Sequence, residues 1–373
     1  MLDVLSRNCP KDQIWMDFLS DYDHWLDLET PTHRTATTGL HDAPVAISTQ
    51  SGVLALDAQF GIWPKKNLPD ALAENLFGKR FFAEADASEK AVAPRTFAIL
   101  DASKVKDLPR LLDASGLPYL CLFRGTAATE LSDVAPYIVE LDSTADFVRR
   151  LFTASDNPSD LWLREPGIFL RSHETLKNLQ RLLRRFTRVR DEAGNWSFFR
   201  FWEPEVAKVH FNYLAKRPKL FTLWFCSLNG HAVGYIVLTK DGEVTTFTPN
   251  SPCIERASAV FTLETSEKEA FRARRVQMKM TEIQRKLEPH FTARSPAEIK
   301  TAVAHVVERF ARFGLKSTAT IFTLAWYELK SGPAFENRIG ADHLRELEQT
   351  HIAEDLRIMR FRAAMEGQKG TDL

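Results

Sequence analysis

The apolar positions change their period along the chain, and each change marks an element. In residues 11–28, Trp15, Phe18, Tyr22, Trp25 and Leu26 recur at helical spacing, with Asp17, Asp21 and Asp27 largely elsewhere; this predicts an amphipathic helix. Residues 30–52 are rich in Thr, Pro, Gly and His, lack a period, and read as a loop. A short helix is expected over Pro69–Phe77. From Thr96 short apolar runs alternate with helical patterns. Phe97–Leu100, Pro118–Phe123, Tyr137–Leu141 and Gly167–Leu170 read as strands, and Lys106–Leu112 and Thr144–Thr153 as helices.

Ser172 can cap a following helix whose apolar face is Leu176, Leu179, Leu183 and Phe186, with Lys177, Arg181, Arg184 and Arg185 on the other face. Thr187–Arg190 then reads as a strand, Asp191–Asn195 as a hairpin loop and Trp196–Trp202 as the return strand. Period two places Phe199 and Phe201 on one face, and Phe198, Arg200 and Trp202 on the other. Pro204 suits the first position of a helix. Two hairpin turns follow, Asn229-Gly230 and Asp241-Gly242, joining the run from Leu220 to Leu228 and the two runs after it into a three-stranded meander. Pro249 and Pro252 close it. The rest is helical. Ser266 and Glu269 form a capping box ahead of the stripe Val276, Met280, Ile283, Leu287. Ser295, Pro296 and Glu298 start a second helix with the stripe Ile299, Val303, Val306, Phe310, Phe313, ended by Gly314. Thr318–Lys330 and Ala341–Ala364 are two more.

These patterns predict an α/β chain, with α+β as its alternative: a mixed sheet layered with helices in the N-terminal and central part, then an all-helical C-terminal lobe. The expected divisions are an N-terminal extension with helices (1–94), an α/β domain ending in the meander (95–252) and the helical lobe (263–373).

Composition changes this picture little. The 373 residues are 44% hydrophobic and 26% charged, enough for a sizeable core. No apolar run reaches the roughly 20 residues of a membrane helix, and no basic-then-apolar leader stands at the N-terminus. Cys9, Cys121, Cys226 and Cys253 are far apart, which fits reduced thiols in a cytoplasm and neither a zinc site nor a disulfide framework. Net charge is zero but unevenly spread: residues 1–160 carry 15 Lys+Arg against 24 Asp+Glu, and the remainder carries the opposite excess.

Candidate chemistry is sparse. The phosphate-binding glycine motifs and the G-x-S-x-G elbow are missing. His343, His351 and Glu354 share a predicted helix but lack a third ligand in sight. Cys226 and His231 flank a turn, yet the alternation of an apolar strand makes Cys226 a small core residue. No catalytic, cofactor-binding or metal residues are therefore assigned. The distinctive stretch is Leu183–Val206, dense in arginine and aromatics. Arginines can neutralise phosphates and aromatics can stack on bases. A merely solvated basic face, with the aromatics filling a sheet face, is a second reading; the same residue types are also enriched at protein-binding hot spots, and that reading is preferred for Lys177, Arg181, Arg184, Arg185, Arg188, Arg200 and Trp202.

The ordered set Phe97–Lys104 (FAILDASK), Ser115–Thr126 (SGLPYLCLFRGT), Asp133–Leu141 (DVAPYIVEL), Gly167–Ser172 (GIFLRS) and Leu183–Pro204 (LRRFTRVRDEAGNWSFFRFWEP) resembles a domain-of-unknown-function family of effector chaperones, or adaptors, in bacterial type VI secretion. Where that family usually shows Tyr-Asp-Pro, this chain has Trp202-Glu203-Pro204, and Glu caps a helix less well than Asp. The resemblance covers about residues 95–210 and neither the first 90 residues nor the helical lobe. It implies a cytoplasmic protein without catalytic activity or cofactor, whose partners are a secreted effector and the VgrG-class spike protein, not nucleic acid or membrane. The alternatives are a small enzyme or nucleotide-binding α/β protein with a non-standard site, and a nucleic-acid-binding regulator.

Overall fold

A computed structural model describes residues 44–79, 81–82, 93–250, 253, 261–315, 317–333, 335–338 and 341–367. The helix expected over residues 11–28 lies outside them. The chain divides into two compact units, one of residues Ala36–Phe271 and one that takes in Arg272–Leu373.

In the first unit the strands are β1 (Val45–Gln50), β2 (Arg95–Asp101), β3 (Tyr119–Cys121), β4 (Pro136–Leu141), β5 (Gly167–Ser172), β6 (Arg188–Asp191), β7 (Trp196–Phe198), β8 (Val233–Leu238), β9 (Val244–Pro249) and β10 (Thr262–Leu263). The helices are α1 (Asp70–Phe77), α2 (Leu108–Ser115), α3 (Thr126–Glu130), α4 (Asp146–Phe152), α5 (Leu176–Leu183), α6 (Pro204–Leu214) and α7 (Pro218–Phe225), then α8 (Thr265–Leu287), whose later turns belong to the second unit. Seven strands form one sheet in the order β1-β9-β8-β5-β2-β4-β3, and three form another, β10-β6-β7. Every neighbouring pair of the large sheet is antiparallel; parallel pairing joins β10 to β6. The α/β expectation thus holds in its α+β form. The alternation of strands and helices has a simple cause. The connection β2-α2-β3 skips over β4, and β4-α4-β5 skips over β2, so each joins two parallel strands with an antiparallel one between them.

The central strands are buried on both faces, which explains their continuous apolar runs. On one face Ala98, Leu100, Val139, Phe169 and Ile236 pack with residues of α1, α2 and α4. On the other, Phe97, Ile99, Ile138, Leu170 and Tyr235 pack with Leu179, Leu182 and Leu183 of α5, with aromatics of α6 and α7, and with Phe186, Phe199 and Phe261, which flank the strands of the small sheet. There Trp224 stacks on Phe186 with ring centres 3.8 Å apart.

Several local expectations are corrected. Residues 30–52 do not stay a loop to their end: β1 pairs along its whole length with β9, from Val45 opposite Pro249 to Gln50 opposite Val244. Its signal was hidden because Val45 alone is buried. The run from Leu220 is not a strand but α7, opened by Pro218. Its Leu223, Trp224 and Phe225 are all fully buried, and a short run apolar on every side carries no period to tell helix from strand. The Asn229-Gly230 turn is present, with Gly230 at φ 81°, but it flanks an isolated bridge between Cys226 and Ala232. Thr175, not Ser172, caps α5, accepting from the Asn178 N–H at 3.3 Å; Ser172 is still in β5. Ser266 lies inside α8, and its hydroxyl pairs with Tyr213. Cys226 and Cys253 form a disulfide, with Cα atoms 5.4 Å apart. Spacing of 27 residues gave no hint that they meet, and the pair removes reduced thiols as an argument for a cytoplasm.

The second unit holds the rest of α8, then α9 (Pro296–Phe310), α10 (Thr318–Ser331), α11 (Ala341–Glu348) and α12 (Glu354–Gly367). The expected single helix over Ala341–Ala364 is therefore two. Ser295 and Glu298 make the full capping box of α9. The two stripes read from the sequence meet in one core, where Ile283, Leu287, Ile299, Val303, Val306, Phe310 and Phe313 are buried. Arg357 is buried with them and donates to the Phe313 and Leu347 carbonyls at 2.8 and 2.6 Å, satisfying helix-end acceptors.

Candidate functional site

Three segments assemble the arginine-rich surface: the chain leaving β3, the end of α5, and the β6–β7 hairpin. Buried Leu179, Leu182 and Leu183 fix the roll of α5, so Lys177, Arg181 and Arg185 face solvent. The Gln180 side chain donates to the Cys121 carbonyl at 2.7 Å and ties α5 to β3. That contact brings in Arg124. Burial lowers the pKa of the Arg184 guanidinium, and the nearby positive charges of Arg124 and Arg181 lower it further.

The hairpin supplies the aromatic part. Val189 is buried, so period two turns Arg188 and Arg190 outward. They stand opposite Phe198 and Trp196. The Arg188 guanidinium lies 5.3 Å from the Trp196 ring centre and 5.8 Å from that of Phe198; Arg190 lies 4.5 Å from Trp196. Trp196 remains 54% exposed. Phe198 also reaches Phe123, with ring centres 6.0 Å apart, so the ribbon continues to the segment that carries Arg124. Stacked guanidinium planes and a half-exposed indole form a preorganised patch of the kind that anchors interfaces.

Arg200 and Trp202 are placed differently. Strand β7 ends at Phe198, so the alternation that pointed both outward stops before it reaches them. The Trp202 indole is buried and donates to Asp101 at 2.9 Å. Arg200 donates to the same carboxylate oxygen at 2.5 Å and to the Ser103 hydroxyl at 3.0 Å. Asp101 in turn accepts from the Ser103 N–H and hydroxyl at 2.9 and 2.6 Å. Lys104 faces Glu203 at 3.7 Å; Glu203 holds the cap position of α6 without a side-chain cap bond. Residues 101–104 and 200–204 therefore lock together around a buried carboxylate. The lock holds the hairpin against the large sheet, and removing one partner of such a pair costs about 3–5 kcal/mol.

Of the seven sequence candidates, Lys177, Arg181, Arg184 and Arg185 lie on or directly after α5 and Arg188 on the hairpin, while Arg200 and Trp202 turn to Asp101. Arg124, Arg190, Trp196 and Asp101 were missed. Arg190 and Trp196 could have been found by extending the alternation of Arg188; Asp101 by asking why an acid ends the apolar strand Phe97–Leu100. Arg124 had no local signal.

The other candidates resolve plainly. His351 precedes α12 and is exposed, while Glu354 accepts from the Ser317 N–H at 2.8 Å. Among the described residues no group of three or more His, Cys, Asp and Glu side chains is arranged to hold a metal. Among them, too, no helix is long and apolar enough to cross a membrane.

Residues 96–217 match a family described as Domain of unknown function (DUF4123). The match spans roughly a third of the chain and contains the whole arginine–aromatic surface and its Asp101 lock. No curated protein and no solved structure matches the chain.

Proposed function

We propose that this protein is a cytoplasmic adaptor, or chaperone, that binds an effector of a bacterial type VI secretion system and helps load it onto the VgrG-class spike, without catalytic turnover of its own. One observation carries the reading: the family match, associated with type VI effector adaptors, coincides with the arginine–aromatic surface. The physical character of that surface supports it. Arg124 and Arg181 both act electrostatically on Arg184, and the half-exposed Trp196 has two guanidinium groups near its ring. Such a surface gains most from a partner patch that is acidic and apolar at once. The titratable groups at the sheet end do not oppose this reading. Burial pushes up the Cys121 thiol and takes Tyr137 to about 12, and a hydrogen bond to Asp113 takes Tyr119 to about 12. Each keeps its proton near neutrality and supplies neither base nor nucleophile.

The test is capture of identified partners by the full-length protein. Wild type is expected to retain one effector and the spike protein. Arg181→Glu with Arg185→Glu, both at exposed positions, should melt at the wild-type temperature yet capture about tenfold less, with the larger loss at low salt. The reading fails if the double variant binds both partners like wild type. It fails equally if the pure protein shows an activity abolished by one point substitution, or binds DNA with a steep salt dependence.

A further inference from the structure

We infer that the open edge of β7 receives an extended, acidic segment of a partner protein as an added strand. The small sheet runs β10-β6-β7, so β7 is paired on one side only. Its ladder with β6 fixes which groups face outward. At the turn end the Asp191 N–H donates to the Asn195 carbonyl at 3.0 Å, and at the other end the Phe199 N–H donates to the Thr187 carbonyl at 3.1 Å. Bonded and non-bonded pairs alternate in an antiparallel ladder. Ser197 is therefore bonded to Val189, whereas Trp196 and Phe198, opposite Arg190 and Arg188, turn their N–H and C=O groups away from β6. No other described segment takes these groups up. Proline and charge, the usual guards of a sheet edge, are missing from Trp196-Ser197-Phe198.

Side chains supply the second half of the site. Val189 is buried, so Arg188 and Arg190 share the opposite face of the ribbon with Phe198 and Trp196. Both guanidinium groups lie over rings of β7 and so lean from β6 toward the open edge. A guanidinium stacked on a ring keeps its in-plane N–H groups for a carboxylate. An added strand sets its residues i and i+2 directly beside Phe198 and Trp196, roughly 7 Å apart. Acids at these two positions reach the guanidinium groups above those rings. The Phe198–Phe123 contact leads on to Arg124, which offers a cation to a further acid of the segment.

Charge and backbone together select the guest. Among the described residues no carboxylate pairs with Arg124, Arg181, Arg184, Arg188 or Arg190, whereas Arg200 and Arg217 have theirs. The acids of the hairpin itself are engaged elsewhere: Asp191 by Lys268 at 2.6 Å, Glu192 by the Thr265 N–H at 2.9 Å. The cations are left for an acid from outside the chain. Nucleic acid can neutralise arginines and stack on a tryptophan, but it has no amides to complete the ladder; an acidic polypeptide meets both demands. The inference rests on the adaptor reading, which makes the owner of the segment a protein of the secretion system; it adds how that protein is held.

The test uses the full-length protein and synthetic peptides of about eight residues that alternate Glu with Val or Thr. In the added strand the Glu amides face β7 and the alternate amides face away. One peptide is N-methylated at every Glu, a second at every alternate residue, and a third carries Lys for Glu. Calorimetry at low salt is expected to give the plain peptide a Kd of some tens of micromolar. Methylation at Glu should weaken it more than about tenfold and methylation at the alternate residues less than about threefold, while the Lys peptide should not bind. Arg188→Gln with Arg190→Gln, both at exposed positions, should weaken the plain peptide about tenfold and leave the melting temperature unchanged. The inference is overturned by no binding of the plain peptide, by equal binding of the two methylated forms, by a Lys peptide that binds as well, or by a double variant that binds like wild type. A thymidine strand of about eight nucleotides that binds more tightly than the Glu peptide overturns it too. If partner capture is intact when one of these results appears, only this mode of holding falls. Loss of all partner capture by the wild type sinks the adaptor reading whatever the peptides do.

Discussion

Glu174 shows how one carboxylate can staple two elements. It is buried at the entry to α5, and burial alone raises its pKa. Hydrogen bonds from the Asn178 side chain at 2.8 Å, the Thr175 N–H at 2.9 Å and the Ser227 hydroxyl at 2.9 Å outweigh burial, with a smaller electrostatic contribution from His231, and hold the pKa below the ordinary 4.5. The Asn229 side chain also donates to it, at 3.0 Å. The folded-state pKa is depressed, so the stabilisation is complete above about pH 4.5 and is lost as pH falls through the lower folded value. Glu174→Gln is expected to lose about 1.5–3 kcal/mol at pH 7, the worth of hydrogen bonds to a charged group. It should also flatten the acid limb of stability, because one titrating group no longer contributes. Urea unfolding of both proteins at pH 7 and near pH 4 decides it; parallel losses on acidification would show that Glu174 is not a linked group. Nothing in the sequence marked this residue, since three of its partners lie more than 50 positions away or in a turn of unknown placement. Arg200 and Trp202 were visible as residue types but misplaced, because a strand that stops at Phe198 stops its alternation too.

Elements were legible where a local rule acts alone. The capping box of α9, the Pro204 start of α6 and the Asp241-Gly242 hairpin all stand where their residues put them. Elements made by their surroundings were not: β1 is a strand because β9 is beside it, and α7 buries Phe221, Leu223, Trp224 and Phe225 in one unbroken apolar run. The two turn glycines separate local from tertiary causes by experiment. Gly194 in the β6–β7 loop and Gly242 in the β8–β9 turn both have positive φ, 83° and 78°. A Cβ at Gly194 meets open space, whereas one at Gly242 collides with the Val53 carbonyl. The approach is set from both sides, since the Val53 N–H donates to the Gly242 carbonyl at 3.0 Å. Gly194→Ala should therefore cost the strain of a left-handed residue, about 1–2 kcal/mol. Gly242→Ala adds displacement of a backbone and should cost about 3 kcal/mol or more. Thermal melts of the pair measure the difference; equal costs would mean the Val53 segment yields freely.

At the scale of the molecule, the sequence separated an α/β part from a helical part because their apolar periods differ, but it set the division too early. Residues expected to open the helical lobe close the first core instead. Phe261 and Leu263 are buried there, and β10 adds a parallel strand to β6. Lys268 pairs with Asp191 at 2.6 Å. Most telling is Glu267, fully buried with His210 of α6, Oε1 to Nδ1 2.5 Å. The ring of His210 lies among Phe199, Trp224 and Phe261, with centres 4.9, 4.3 and 5.5 Å away. Removing residues from Phe261 onward strips a wall from this aromatic cluster and leaves His210 buried without its acid, which costs several kcal/mol. A chain of residues 1–271 keeps all of these contacts, and one of 1–260 loses every contact that Phe261, Leu263, Glu267 and Lys268 make. The longer chain should unfold cooperatively with a melting temperature near that of the first unit in the full protein. The shorter should be destabilised by about 5 kcal/mol or more, the sum of a lost buried partner and two core side chains, and should expose its aromatic cluster to a dye such as ANS. Circular dichroism melts and dye binding on the two chains settle the point: if 1–260 is as stable and as dye-silent as 1–271, the segment Phe261–Phe271 is an appendage of the helical lobe and the division read from the sequence was right.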